Sequence, residues 1–203
     1  MSHVAAGHTN TLYMGWRRRC HRAAAATVAA LAGLLLGLGP GPAAAETKAV
    51  AIPAPELRGN SWLNVPPGEK LSLASRKGKV TVVHFWTFGC INCKRNLPFY
   101  NEWQKKFSTK GLEIIGIHSP ETDDERDPAN VVKKVKEYGI TYPVLIDENS
   151  VNWKTWQQRY WPAVYLVDKQ GRVRFAWEGE LEYQGAGGNA KMTQLIQTLL
   201  NER

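Results

Sequence analysis

Two cysteines two residues apart, in Cys90-Ile91-Asn92-Cys93, are the residues of this chain whose type and spacing could do redox chemistry. They follow an apolar run, Val80-Thr81-Val82-Val83-His84-Phe85-Trp86, that reads as a buried strand. They precede Leu97, Tyr100, Trp103, Gln104 and Phe107, which recur at helical spacing up to Gly111, with Pro98 expected to kink the helix. At a strand-to-helix junction the first sulfur sits on the helix N-terminus, where unpaired N–H groups and the positive dipole end favour a thiolate. The second sulfur lies one turn further on, close enough to close a disulfide.

The surroundings of the pair argue that it works rather than staples. Residues 1–45 carry Arg17, Arg18, Arg19 and Arg22, no acidic residue, an Ala/Leu-rich run from Ala23 to Leu38, and then Ala43-Ala44-Ala45. That is a signal-peptide layout with cleavage expected between Ala45 and Glu46. The rival, an uncleaved membrane anchor, asks for an apolar run of about 20 residues, and this one has 16. Arg18-Arg19 hints at twin-arginine export, and Cys20, placed before the apolar run, is wrongly placed for lipidation.

Cleavage removes four of the 26 basic residues and none of the 18 acidic ones, so the mature charge is +4, with no basic and aromatic cluster suited to nucleic acid. It also leaves Cys90 and Cys93 as the only cysteines. A loop that short constrains the unfolded chain very little, so an exported protein gains little stability from closing it.

Residues 46–60 read as a Pro/Ala-rich linker, with order beginning near Trp62. Trp62-Leu63-Asn64-Val65 and Leu71-Ser72-Leu73-Ala74 then read as an N-terminal β-hairpin. Glu113–Ile117, Tyr142–Ile146 and Ala163–Val167 are buried strands, and Arg172–Trp177 follows a hairpin turn at Asp168-Lys169-Gln170-Gly171. Helices are expected from Pro128 to Tyr138 with Val131, Val132 and Val135 inward, over Val151–Gln158, and after an Asn189 cap. The pattern specifies an α/β domain over 61–203, a mixed central sheet with helices on both faces.

The segments Phe85-Trp86-x-x-x-Cys90-x-x-Cys93, Trp161-Pro162 and Val164–Val167 with Asp168-x-x-Gly171 resemble the thioredoxin superfamily over residues 60–203. The helix-strand insertion at 128–146 and the export signal are similar to the TlpA group of periplasmic thiol-disulfide oxidoreductases. Trp86–Cys93, Gly116–Glu121 and Arg159–Ala163 look like the thioredoxin-like domain of DipZ-type membrane electron carriers.

The resemblance implies that Cys90 attacks, Cys93 resolves, and Pro162 is a cis-proline that turns the Trp161 backbone towards the sulfur. It implies substrate contact by Trp86 and Trp161, no cofactor and no metal. The expected partners are disulfide-containing proteins and a membrane electron donor of DsbD type. The expected protein is a periplasmic or otherwise extracytoplasmic monomer acting as a reductant, which touches the membrane only transiently or through an uncleaved signal.

Several residues carry two readings. His84 stands where thioredoxin has a buried acid, so it is either a proton relay for Cys93 or a satisfied core histidine. Glu121 is either a carboxylate beside the cysteines or part of a solvated acidic loop with Asp123, Asp124 and Glu125. His118 reads as a satisfied strand-end residue. Trp153, Trp156 and Trp161 are either core or the floor of a substrate groove. Two rival functions compete with thiol exchange. A peroxiredoxin-like peroxidase has Thr87 three residues before Cys90 but Val83 where proline is needed. A copper- or zinc-binding module would have one cysteine pair and His84 or His118, too few ligands for a closed site.

Overall fold

A computed structural model describes residues 51–203, so the signal peptide expected over residues 1–45 lies outside the described residues. Among the described residues seven strands form one mixed sheet: β1 (Ile52–Pro53), β2 (Trp62–Leu63), β3 (Val80–Trp86), β4 (Leu112–His118), β5 (Val144–Ile146), β6 (Ala163–Val167) and β7 (Arg172–Glu178). Their spatial order is β1-β7-β6-β3-β4-β5-β2. In the same described residues four α-helices accompany them: α1 (Ile91–Phe107), α2 (Pro128–Glu137), α3 (Val151–Thr155) and α4 (Gly188–Asn201).

Every residue of β3 is buried because the strand lies at the centre of the sheet, between parallel β4 and antiparallel β6. Alternation then sends successive side chains to two cores. Val80, Val82 and Trp86 pack with Leu97, Tyr100, Trp103 and Phe107 of α1, Val131 and Val135 of α2, and Met192, Ile196 and Leu199 of α4. Val83 and Phe85 pack on the opposite side with Leu57, Leu73, Ile115, Ile117, Leu145 and Trp156. Helices α1, α2 and α4 thus contribute to one core, while the other draws on the segment around α3 and on N-terminal coil.

The N-terminal part departs from expectation. Trp62–Leu63 pairs with β5, and Leu71-Ser72-Leu73 is not a strand but leads into a 3-10 turn at Ala74–Arg76, so no N-terminal hairpin forms. Ile52–Pro53, expected within the linker, adds β1 to the far edge of the sheet. Leu57 is buried, and Glu56 accepts hydrogen bonds from the Leu73 and Ala74 amides. Two short apolar runs separated by Pro66-Pro67-Gly68 look like a hairpin in sequence, but Trp62–Leu63 takes β5 as its partner and Leu71 and Leu73 are buried without joining the sheet.

Smaller differences have local causes. Helix α1 runs unbroken through Pro98, whose ring lies on an exposed part of the surface. Val132 faces solvent while Val131 and Val135 are buried. Asn189 does not cap α4: the helix follows Gly187, and the Asn189 side-chain Oδ1 accepts from Trp103 Nε1 at 3.1 Å.

Candidate active site

Parallel pairing of β3 and β4 sets Trp86 beside His118, and antiparallel β6 brings Ala163 opposite Phe85. The loops after β3 and β4 and the entrance to β6 therefore meet at one end of the sheet, where open α/β sheets bind ligands. A hydrogen bond from Ser119 N to Trp86 O, 3.0 Å, ties the first two loops together.

Cys90 is the N-cap of α1, with φ −72° and ψ 115°, and its sulfur accepts a hydrogen bond from Cys93 N at 3.2 Å. Cys90 is half-buried and Cys93 is 1% exposed, and neither is bonded in a disulfide. The hydrogen bond that the Cys93 side chain offers, with the backbone N–H groups of Cys93 and Asn92, pulls the Cys90 thiol below its ordinary range despite partial burial. Burial, then the hydrogen bond and charge of Cys90, push Cys93 far up. One sulfur is prepared to ionise while the other holds its proton.

The Trp161–Pro162 peptide is cis, as the resemblance implies, and Pro162 is buried. Trp161 Nε1 donates to Ser119 O at 3.0 Å, and its ring stacks on Trp153 with centroids 3.9 Å apart. This stack is half-buried, whereas Trp156 is a core residue. Ile91 and Tyr160, on the segments that carry Cys90 and Trp161, are 55% and 60% exposed.

Trp86 needs correction: it is fully buried, packed against His118 and Tyr138, and cannot touch a substrate. His84 is also fully buried. Its ring lies 4.2 Å from that of Tyr100, and neither ring nitrogen has a hydrogen-bond partner among the described residues, so it bonds to neither cysteine. Gly116 makes room for it, since a Cβ there would lie 2.9 Å from His84 Nε2 and 3.2 Å from Trp86 Nε1. Burial lowers the His84 pKa from 6.5 to about 3 and that of His118 to about 4.

Because the unfolded chain protonates these rings near pH 6.5, the stability present above that pH is lost as pH falls towards the folded values. The slope is at most about 1.4 kcal/mol per pH unit for each ring. In urea unfolding between pH 7 and pH 4.5, His84→Phe should lose distinctly less stability than the parent. Equal losses would show that His84 is not kept neutral.

Glu121 is exposed, and its charge raises the proton affinity of Cys90. Sequence reasoning passed over Glu125, four residues on. It is 3% exposed and accepts from Gly89 N at 2.8 Å, Glu121 N at 2.7 Å and Thr122 N at 2.9 Å. Nothing in the acidic run Glu121–Asp127 distinguishes it, because its burial depends on two loops meeting. Thr87 is buried with its hydroxyl 3.4 Å from His118 Nε2, and Val83 is sealed in β3, an arrangement unlike a peroxide site. Among the described residues no three His, Cys, Asp or Glu side chains converge as a metal cage requires.

The sequence pattern of a known family model matches residues 50–176, more than half of the chain. The chain belongs to the AhpC/TSA family. Protein DipZ of Mycobacterium tuberculosis is 41% identical over 150 residues, which are 73% of this chain and 21% of DipZ, so the AhpC/TSA chain aligns with about a fifth of that relative's length. The thiol-disulfide oxidoreductase YkuV of Bacillus subtilis is 32% identical over 143 residues, 70% of this chain and 89% of YkuV. A thioredoxin-like superfamily protein of known structure superimposes with a TM-score of 0.66 at 25% identity, over 75% of this chain and 99% of its own. A second thioredoxin-like protein, solved in its oxidized form, gives 0.62 at 28% identity over 74% and 95%. The fold of this AhpC/TSA member is thioredoxin-like.

Proposed function

We propose that this chain is an exported thiol-disulfide oxidoreductase that reduces protein disulfides through Cys90 and Cys93. The observation that carries the reading is the pair itself: an N-cap sulfur that accepts the Cys93 N–H, with the second sulfur buried one turn inside. Likeness to YkuV supports the same chemistry.

In the forward direction the Cys90 thiolate attacks one sulfur of a substrate disulfide, that S–S bond breaks, and the departing substrate thiolate takes up a proton. Cys93 then loses its proton and attacks Cys90, releasing the second substrate thiol. The substrate has gained two electrons and two protons, and the Cys90–Cys93 disulfide holds the oxidation. Ile91, Tyr160 and the Trp153–Trp161 stack offer apolar contact for the segment that carries the substrate disulfide.

A membrane donor of DsbD type would then return electrons to the pair outside the cytoplasm. The signal-peptide pattern of residues 1–45 supports export, and we assign a monomer acting on disulfide-containing proteins. The deciding measurement is the reduction potential of the pair together with insulin reduction. A potential near thioredoxin's, about −270 mV, is expected, and one near −120 mV, as for a strong oxidant, would overturn the direction.

A further inference from the structure

A buried carboxylate touches the redox loop from outside the motif. Glu125 is 3% exposed in the 3-10 turn Asp124–Arg126, and its two oxygens divide their work. Oε1 accepts from Gly89 N at 2.8 Å, on the residue immediately before Cys90. Oε2 accepts from Glu121 N and Thr122 N at 2.7 and 2.9 Å, in the loop after β4. Independently, the residue at 89 has no side chain: a Cβ there would lie 2.5 Å from Oε1, closer than atoms tolerate. The glycine and the carboxylate fit only each other's presence.

We propose that Glu125 is a positioning residue for thiol exchange: its ionised carboxylate, seated where Gly89 leaves room, latches the Cys90 loop to the loop after β4 and so holds the Cys90 sulfur over the Cys93 amide. This rests on the oxidoreductase reading. Desolvation alone would raise the Glu125 pKa, but hydrogen bonds from Thr87 and from the amides of Glu121, Thr122 and Gly89 outweigh it and hold the carboxyl below its usual range. The latch is therefore closed throughout the neutral range and opens only as pH falls through that lowered value.

Glu125 acts on the two sulfurs in opposite senses. Through geometry it preserves the Cys93 N–H contact that lowers Cys90, whereas through charge it raises Cys93. The other titratable groups that act on the pair or on the latch are Glu121 beside Cys90, His118 from β4 beside Glu125, and Tyr100 from α1, whose hydroxyl responds to both sulfurs.

Removing the charge and removing the geometry should thus give different signatures. A glutamine at 125 keeps one acceptor oxygen and turns an NH2 donor towards the remaining N–H groups, so Glu125→Gln opens one side of the latch and deletes the charge. Gly89→Ala displaces the carboxylate but keeps its charge. Iodoacetamide alkylation of Cys90 is followed against pH, and the Cys93 midpoint is read from its Cβ resonance. In both variants Cys90 alkylation at pH 6 should slow about tenfold, one pKa unit. The Cys93 midpoint should fall in Glu125→Gln and stay in place in Gly89→Ala.

Unchanged Cys90 profiles in both variants, or both midpoints moving the same way in Glu125→Gln, would overturn the latch. In the unmodified protein the Gly89 amide proton should follow the Glu125 carboxyl titration on acidification; an amide shift that ignores it also sinks the proposal, whatever the variants' folding. Parent turnover of insulin disulfides is measured alongside. A parent without turnover removes the oxidoreductase reading, whereas turnover with unchanged profiles removes Glu125 alone.

Discussion

Cys90→Ser should reduce disulfide exchange to the uncatalysed background, while Cys93→Ser should stop it after one half-reaction, with substrate left bonded to Cys90. The asymmetry follows from where each sulfur sits. Cys90 gains from the helix N-terminus and from the Cys93 N–H at 3.2 Å, so it is the sulfur whose thiol is lowered and the readier of the two to ionise. A serine hydroxyl in its place has no comparable ionisation and cannot start the exchange. Cys93 is buried and holds its proton, so with Cys90 gone it offers neither access nor thiolate.

Without Cys93, attack by Cys90 still occurs, but nothing one turn away can displace the mixed disulfide. Incubation with reduced and scrambled protein substrates, followed by non-reducing gels and mass spectrometry, separates the cases. Stoichiometric adducts are expected on Cys93→Ser alone, and sustained turnover by Cys90→Ser would remove the assignment of the nucleophile.

What was legible in the sequence and what was not divides along the distance over which a residue's role is decided. The burial of β3 and β4, the amphipathic face of α1 and the Asp168–Gly171 hairpin are set by neighbours a few residues away, and each forms with bounds close to those expected. The Cys90-Ile91-Asn92-Cys93 step belongs with them, because its chemistry needs only a helix start. Trp62–Leu63 and Ile52–Pro53 are decided instead by partners more than 80 residues away, Leu145 and Val173, so a local reading joined or dismissed them.

Trp86 and Glu125 are the same failure with opposite signs. An aromatic beside the motif looks available to substrate until α1 covers it, and an acid in a charged run looks solvated until the Gly89 amide closes on it. For Trp161 the residues left core and groove floor open, because its indole is held by Ser119, 42 residues away, as well as by Trp153.

That last arrangement has its own anchor, and Asp147→Ala should be the most damaging change outside the cysteines. The Asp147 side chain is 4% exposed at the end of β5. Its Oδ1 accepts from Asn152 N at 3.0 Å and Asn152 Nδ2 at 3.2 Å, and its Oδ2 accepts from Ser119 Oγ at 2.8 Å and Trp153 N at 2.9 Å. One carboxylate therefore holds both Trp153, which stacks on Trp161, and Ser119, whose carbonyl accepts the Trp161 indole N–H.

Alanine strands these donors in a buried site, at a cost of about 1–3 kcal/mol for each left unsatisfied. With some relaxation a total near 3 kcal/mol is expected, which lowers the melting temperature by about 6–12 °C in a domain of this size. Because both supports of Trp161 loosen together, exchange with a protein disulfide should fall much more than exchange with a small disulfide, which needs only Cys90. Asp147→Asn keeps one acceptor oxygen and should fall between alanine and the parent in both measures. A melting temperature within about 2 °C of the parent would show that the network does not support the fold. Equal losses on large and small disulfides would show that it does not reach the site through Trp161.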